Sequence, residues 1–90
     1  MNDWDFNRMV QHYLYVKKKE LKEQCMYLRW TSLLPSPAGA FWHVTLDNPM
    51  THKYAHWDLR PFVIKDEERD GLNYKEYIDW CIKLMTSQVL

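Results

Sequence analysis

His43, His56 and Asp58 lie in two short runs where apolar residues alternate with polar ones, and a period of two sends alternate side chains to opposite sheet faces. By parity the imidazoles and the carboxylate share one face, together with Tyr27, Arg29, Thr31, Phe41, Thr45, Tyr54 and Arg60. Such a face suits three kinds of chemistry. Two imidazoles and a carboxylate from neighbouring strands are metal-ligand types. One histidine as base, another as acid and an arginine on phosphate would make a small metal-independent ribonuclease, and His43, His56, Tyr54 and Arg60 supply those types on this face. Aromatic and guanidinium groups are also the types enriched at protein-binding hot spots, and exposed rings with nearby cations can stack single-stranded bases.

Each reading needs a strand register that the alternation does not supply. His52 and His56 are four residues apart, but they straddle a turn and a strand start, where that spacing carries little. Zinc and iron sites usually show tighter ligand signatures than these, so no metal or other cofactor is expected. Nucleophilic catalysis has no support either. Ser32, Ser36 and Ser87 lack a nucleophile-elbow context, and neither Cys25 nor Cys81 has an evident electropositive setting. Those cysteines read as small hydrophobes of a reducing, cytoplasmic setting.

Twelve basic and twelve acidic residues leave a formal charge of zero. A duplex-binding domain draws most of its affinity from phosphate neutralisation, so neutrality argues against that class. No apolar run approaches the ~18 residues of a membrane span, and Met1-Asn2-Asp3-Trp4-Asp5 lacks the basic and apolar regions of a signal peptide. Ninety residues, 47% of them hydrophobic, are expected to form one domain, residues 1–90. Five tryptophans, six tyrosines and three phenylalanines exceed what one small core needs, so some rings must face water or a partner.

The elements that position these residues follow from period and punctuation. Asn2 or Asp3 can cap a first helix, in which Phe6, Met9, Val10, Tyr13 and Leu14 draw one apolar stripe. Trp4 and Tyr15 lie off that stripe, and Lys17 falls near its centre, where it must snorkel. The helix is expected to end between residues 19 and 24. Cys25-Met26-Tyr27-Leu28 reads as the start of a strand, with helix continuation as the rival because Leu21 and Leu28 also fit the stripe. Pro35-Ser36-Pro37-Ala38-Gly39 is a loop. A second strand runs from Phe41 to Leu46 and a third from Tyr54 to Arg60, ended by Pro61. Phe62, Val63 and Ile64 read as a brief continuation, followed by a solvated charge run, Lys65-Asp66-Glu67-Glu68-Arg69-Asp70. Asn73 and Glu76 form a capping-box variant for a last helix with Tyr74, Tyr77, Ile78, Cys81, Ile82 and Met85 inward and Trp80 on the margin.

The expectation is an α+β domain of order α-β-β-β-α, with a three-stranded antiparallel sheet and two helices on one face. Met26, Leu28, Trp30, Trp42, Val44, Leu46, Ala55, Trp57 and Leu59 should point inward, which assigns three tryptophans to the core. The element order is similar to that of double-stranded RNA-binding domains. Those domains start their last helix with basic residues where this chain has Asp70-Gly71-Leu72-Asn73-Tyr74-Lys75-Glu76, so no function is carried over.

What remains for function is the face bearing Tyr27, Arg29, Phe41, His43, Tyr54, His56 and Arg60, with Trp80 beside it. The expected role is protein binding without catalysis, as an inhibitor, an adaptor or a homo-oligomer. A compact chain of this kind fits a phage or mobile-element protein directed at a host protein. Single-stranded nucleic-acid binding, or ribonuclease activity on the same face, is the alternative.

Overall fold

The computed structural model describes residues 3–69, 71 and 73–90. Its elements are α1 (Asp3–Glu23), β1 (Tyr27–Trp30), β2 (Trp42–Asn48), β3 (Lys53–Leu59), α2 (Pro61–Arg69) and α3 (Tyr74–Val89). The three strands form one antiparallel sheet in the order β1-β2-β3. α1 packs beneath β1, α3 beneath β3 and β2, and α2 against α3. The fold is therefore mixed α+β, with α1 and α3 covering one sheet face.

Burial explains this arrangement. Phe6, Val10, Leu14 and Leu21 of α1 are buried, and Met9 and Tyr13 pack at the core's margin. From α3 come Tyr77, Ile78, Cys81, Ile82, Met85 and Val89. Leu28, Trp42, Val44, Leu46, Ala55 and Leu59 of the sheet, with Met26 just before it, meet these two stripes. Each fully buried Leu, Ile or Val contributes about 1.5–3 kcal/mol relative to leaving it in water.

Lys17 snorkels as its position requires. Its Nζ reaches Asp79 Oδ1 on α3 at 3.0 Å and Glu20 Oε2 at 3.1 Å. The Tyr13 hydroxyl donates to the same Asp79 oxygen at 2.6 Å, so one carboxylate joins the two long helices.

The ambiguity at residues 25–28 resolves as a helix stop followed by a strand. Cys25 has φ 61°, Met26 N–H donates to Leu21 C=O, and Cys25 N–H donates to Lys22 C=O. That is a Schellman motif, with buried Leu21 and Met26 supplying its usual apolar pair. The left-handed residue is a cysteine instead of the usual glycine, which is why no stop signal stands in the sequence.

Other expectations need correction. Phe62, Val63 and Ile64 do not extend β3, and most of the supposed solvated charge run is helical, as α2. Pro61 ends β3 by starting a helix, since its fixed φ suits the first helical position and its missing N–H loses nothing there. Only Ile64 of the apolar triplet is fully buried, and one buried residue leaves little periodicity to read. This extra helix also departs from the order shared with double-stranded RNA-binding domains. Of the three inward tryptophans only Trp42 is fully buried, while Trp30 and Trp57 are half-buried at the sheet's two outer strands, where the helices end their cover. β1 begins at Tyr27, and β3 spans Lys53–Leu59, one residue earlier at each end than its alternating run.

Asn73 caps α3, its side chain accepting from Lys75 N–H at 2.8 Å, but the expected capping box is not formed, since Glu76 makes no hydrogen bond back to Asn73. The proposed cap at Asn2, and Asp70 and Leu72 between the last two helices, lie outside the described residues. The β2–β3 turn is tied to the end of α3, where Asn48 Nδ2 and Thr51 Oγ1 both donate to Val89 C=O.

Candidate binding face

Register turns the outward residues into rows across the sheet. Tyr27 pairs with Asp47, which pairs with Tyr54; Arg29 pairs with Thr45, which pairs with His56. Next come Thr31, His43 and Asp58, the first two joined by Thr31 N–H to His43 C=O at 3.1 Å. Successive rows stand about 7 Å apart, two residues along a strand. None of these residues belongs to the core cluster, and Tyr27 and Tyr54 are 40% and 68% exposed.

His43, His56 and Asp58 do converge. His43 Nδ1 lies 2.9 Å from Asp58 Oδ1, directly across the β2–β3 pair. The His56 ring, on the diagonal, has its centroid 5.6 Å from that of His43 at a 34° tilt. With Nδ1–H donating to Asp58, the lone pair of neutral His43 sits on Nε2, the atom free for a proton or another donor. Even so, among the described residues no group of three or more His, Cys, Asp or Glu is arranged to hold a metal ion. His52 stands apart from the group, in the turn at φ 57°.

Phe41 and Arg60 are placed differently from the other candidates. The Arg60 guanidinium lies 5.1 Å from the Phe41 ring centroid and donates to Gly39 C=O at 3.1 Å. Phe41 is bridged to Leu34 and is half-buried. This pair holds the loop before β2 in place and offers a partner less ring surface than parity suggests. Gly39 has φ 108°, and an added Cβ would lie 2.8 Å from the Phe62 ring, so the loop needs glycine there.

Trp80 is 52% exposed on α3. Its ring meets Trp57 edge-on at 5.9 Å and Tyr77 at 6.1 Å. Glu67 of α2 and Glu76 of α3 line a groove beside it with Tyr77. Burial first, then Cys81 and the Glu67 carboxylate, push the Tyr77 phenol up to about 12. Cys81 beneath is pushed up to about 11 by burial, which outweighs the lowering effect of the neighbouring Tyr77 hydroxyl. An unreactive buried thiol results.

Sequence reasoning missed Asp47, Trp57, Glu67 and Glu76. The spacing of Glu76, Tyr77 and Trp80 at four and three residues carried a signal on α3. Nothing in the sequence joined Glu67 or Trp57 to them. On the other long helix, Tyr15 packs edge-on against Trp30 at 4.9 Å, while Trp4 carries Arg8 4.6 Å from its ring centroid.

Among the described residues no helix is long and apolar enough to cross a membrane. Comparison with protein-family models, with curated proteins and with solved structures returned no match.

Proposed function

We infer that the open sheet face, with Trp80 beyond the β3 edge on the helix side, binds another protein, and that the chain acts as an inhibitor or adaptor without catalysis of its own. The carrying observation is the row Tyr27–Asp47–Tyr54, two exposed rings flanking a carboxylate on a face that no core residue shares. Rigid aromatic rings on strands supply contact area at low conformational cost, and Arg29 and His56 in the next row add directional polar contacts. The free thiols of Cys25 and Cys81 fit a cytoplasmic setting. A phage or mobile-element origin with a host protein as target remains part of this reading. Tyr54→Ala and Arg29→Ala should each remove a partner captured by the native chain while leaving the thermal melt within a few degrees. Capture unchanged by both substitutions would reject the face. Native mass measurement covers self-association, since a second copy would then be the partner.

A second reading is favoured by the His43–Asp58 hydrogen bond with His56 alongside. On single-stranded RNA, His43 Nε2 would take the 2′-hydroxyl proton as the 2′-oxygen attacks phosphorus. Protonated His56 would give its proton to the departing 5′-oxygen, and Arg29 in the His56 row would neutralise the phosphate in place of Arg60, which is held on Phe41 and the Gly39 carbonyl. Zero net charge weighs against it. Salt-sensitive anisotropy of a labelled single strand is its signature, and cleavage that survives His43→Ala with His56→Ala would remove the catalytic version.

A further inference from the structure

We propose that the groove between α2 and α3 beside Trp80 accepts an arginine side chain presented by a protein partner. The proposal rests on the protein-binding reading for its occupant and adds the chemistry by which that partner is chosen.

The groove combines a fixed ring with two carboxylates. An exposed tryptophan on a helix is usually mobile, but Trp80 is held by Trp57 at 83° to its plane and by Tyr77 at 37°. What these neighbours leave uncovered is presented to the groove in one orientation. The lining is Glu67, Glu76, Tyr77 and Trp80, none of them basic, among the residues whose side chains are described. Neither glutamate takes part in an ion pair or hydrogen bond with another residue whose side chain is described, which leaves out Glu68 and Arg69 of α2. Lys75, next in sequence to Glu76, is turned away, its Nζ lying 5.6 Å and 6.0 Å from the ring centroids of Tyr13 and Tyr74.

Two carboxylates and an aromatic face attract a cation by two routes, direct charge and the ring quadrupole. Between the biological cations, guanidinium fits better than ammonium. It is planar and stacks on an indole, it sheds water more readily, and its fork of donors can serve both walls of the groove. The groove lies on the helix side of β3, reached through Trp57, so a partner on the open face can wrap the β3 edge to place this side chain.

The test uses the full chain and short peptides. The Trp80 indole N–H signal is assigned by its loss in Trp80→Phe, and acetyl-Ala-Arg-Ala-amide is titrated against the Lys and Glu versions. The arginine peptide should shift the Trp80 signal saturably. The lysine peptide should bind more weakly, and the glutamate peptide should leave the signal in place. Glu67→Gln with Glu76→Gln should weaken the arginine peptide by about tenfold or more, while Tyr54→Ala leaves it unchanged. No shift of Trp80, an equal response to all three peptides, or full affinity in the double glutamine variant would overturn the proposal. Those results would leave the open face untouched, and failure of Tyr54→Ala to affect protein capture would leave the groove untouched.

Discussion

At the scale of single residues, environment separates side chains of the same type. Cys25 is exposed, whereas Cys81 is buried with its thiol pushed up to about 11 by that burial. Alkylation at pH 8 should therefore modify Cys25 quickly and Cys81 only when denaturant is added. Equal rates in the native protein would contradict the burial. The tryptophans divide likewise: Trp42 is enclosed with no partner for its Nε1 among the described residues, Trp30 and Trp57 are half-covered, and Trp80 and Trp4 face water. Composition announced surplus rings without saying which they were. Parity identified Tyr27 and Tyr54 correctly, because an outward strand position leads to solvent wherever nothing covers the sheet. It overstated Phe41, because a loop clasped by Arg60 lies against that end of the sheet.

At the scale of elements, the stops are more informative than the stripes. The α1 stop rests on a left-handed Cys25 whose side chain is exposed, so little packing is lost on its removal. Replacing it with glycine should raise stability by up to about 1 kcal/mol, since a side chain at positive φ is strained and glycine is not. Cys25→Val, with a branched β-carbon in the same conformation, should lower it. Urea midpoints of the two variants measure both, and a lower midpoint for the glycine variant would count against the Schellman geometry. Gly39→Ala should destabilise more than an ordinary loop substitution, because positive φ and the Phe62 ring both oppose a Cβ. A melt unchanged by that substitution would show that the loop can rearrange.

For the whole molecule, the Tyr13–Asp79–Lys17 contact joins α1 to α3 across the base of the core. Burial by itself would lower Lys17, but hydrogen bonds to Asp79 and Glu20 outweigh it and hold the amine above its usual range. Tyr13 is raised by burial and then by its bond to Asp79. Groups raised in the folded state contribute stability that is fully present below their unfolded values and lost as pH climbs through the folded ones. The unfolded chain ionises Cys81 near 9 and Tyr77 near 10, while the fold delays them to about 11 and about 12. The melting temperature should therefore be flat around neutrality and fall from about pH 9 upward. Asp79→Asn should cost about 1 kcal/mol at pH 8, a modest figure because the pair is partly solvated. It should also reduce the part of the alkaline loss that belongs to Lys17. An alkaline limb absent in native protein would contradict these shifts.

The sequence by itself determined the α+β class, the inward stripes of α1 and α3, the three alternating strands and the parity of each outward residue. Those are properties of local period, set by backbone geometry within each segment. It did not determine α2, whose start at Pro61 resembles a strand end and whose single fully buried residue hides the helical period. Nor did it determine which outward residues meet. Only the tertiary structure set the register that brings His43 within 2.9 Å of Asp58 and sets Asp47 between two tyrosines, and only it placed Glu67 and Trp57 beside Trp80. The reason is physical: parity says which face a side chain takes. Partners across strands and helices are chosen by how distant segments pack, and no short window of sequence contains that information.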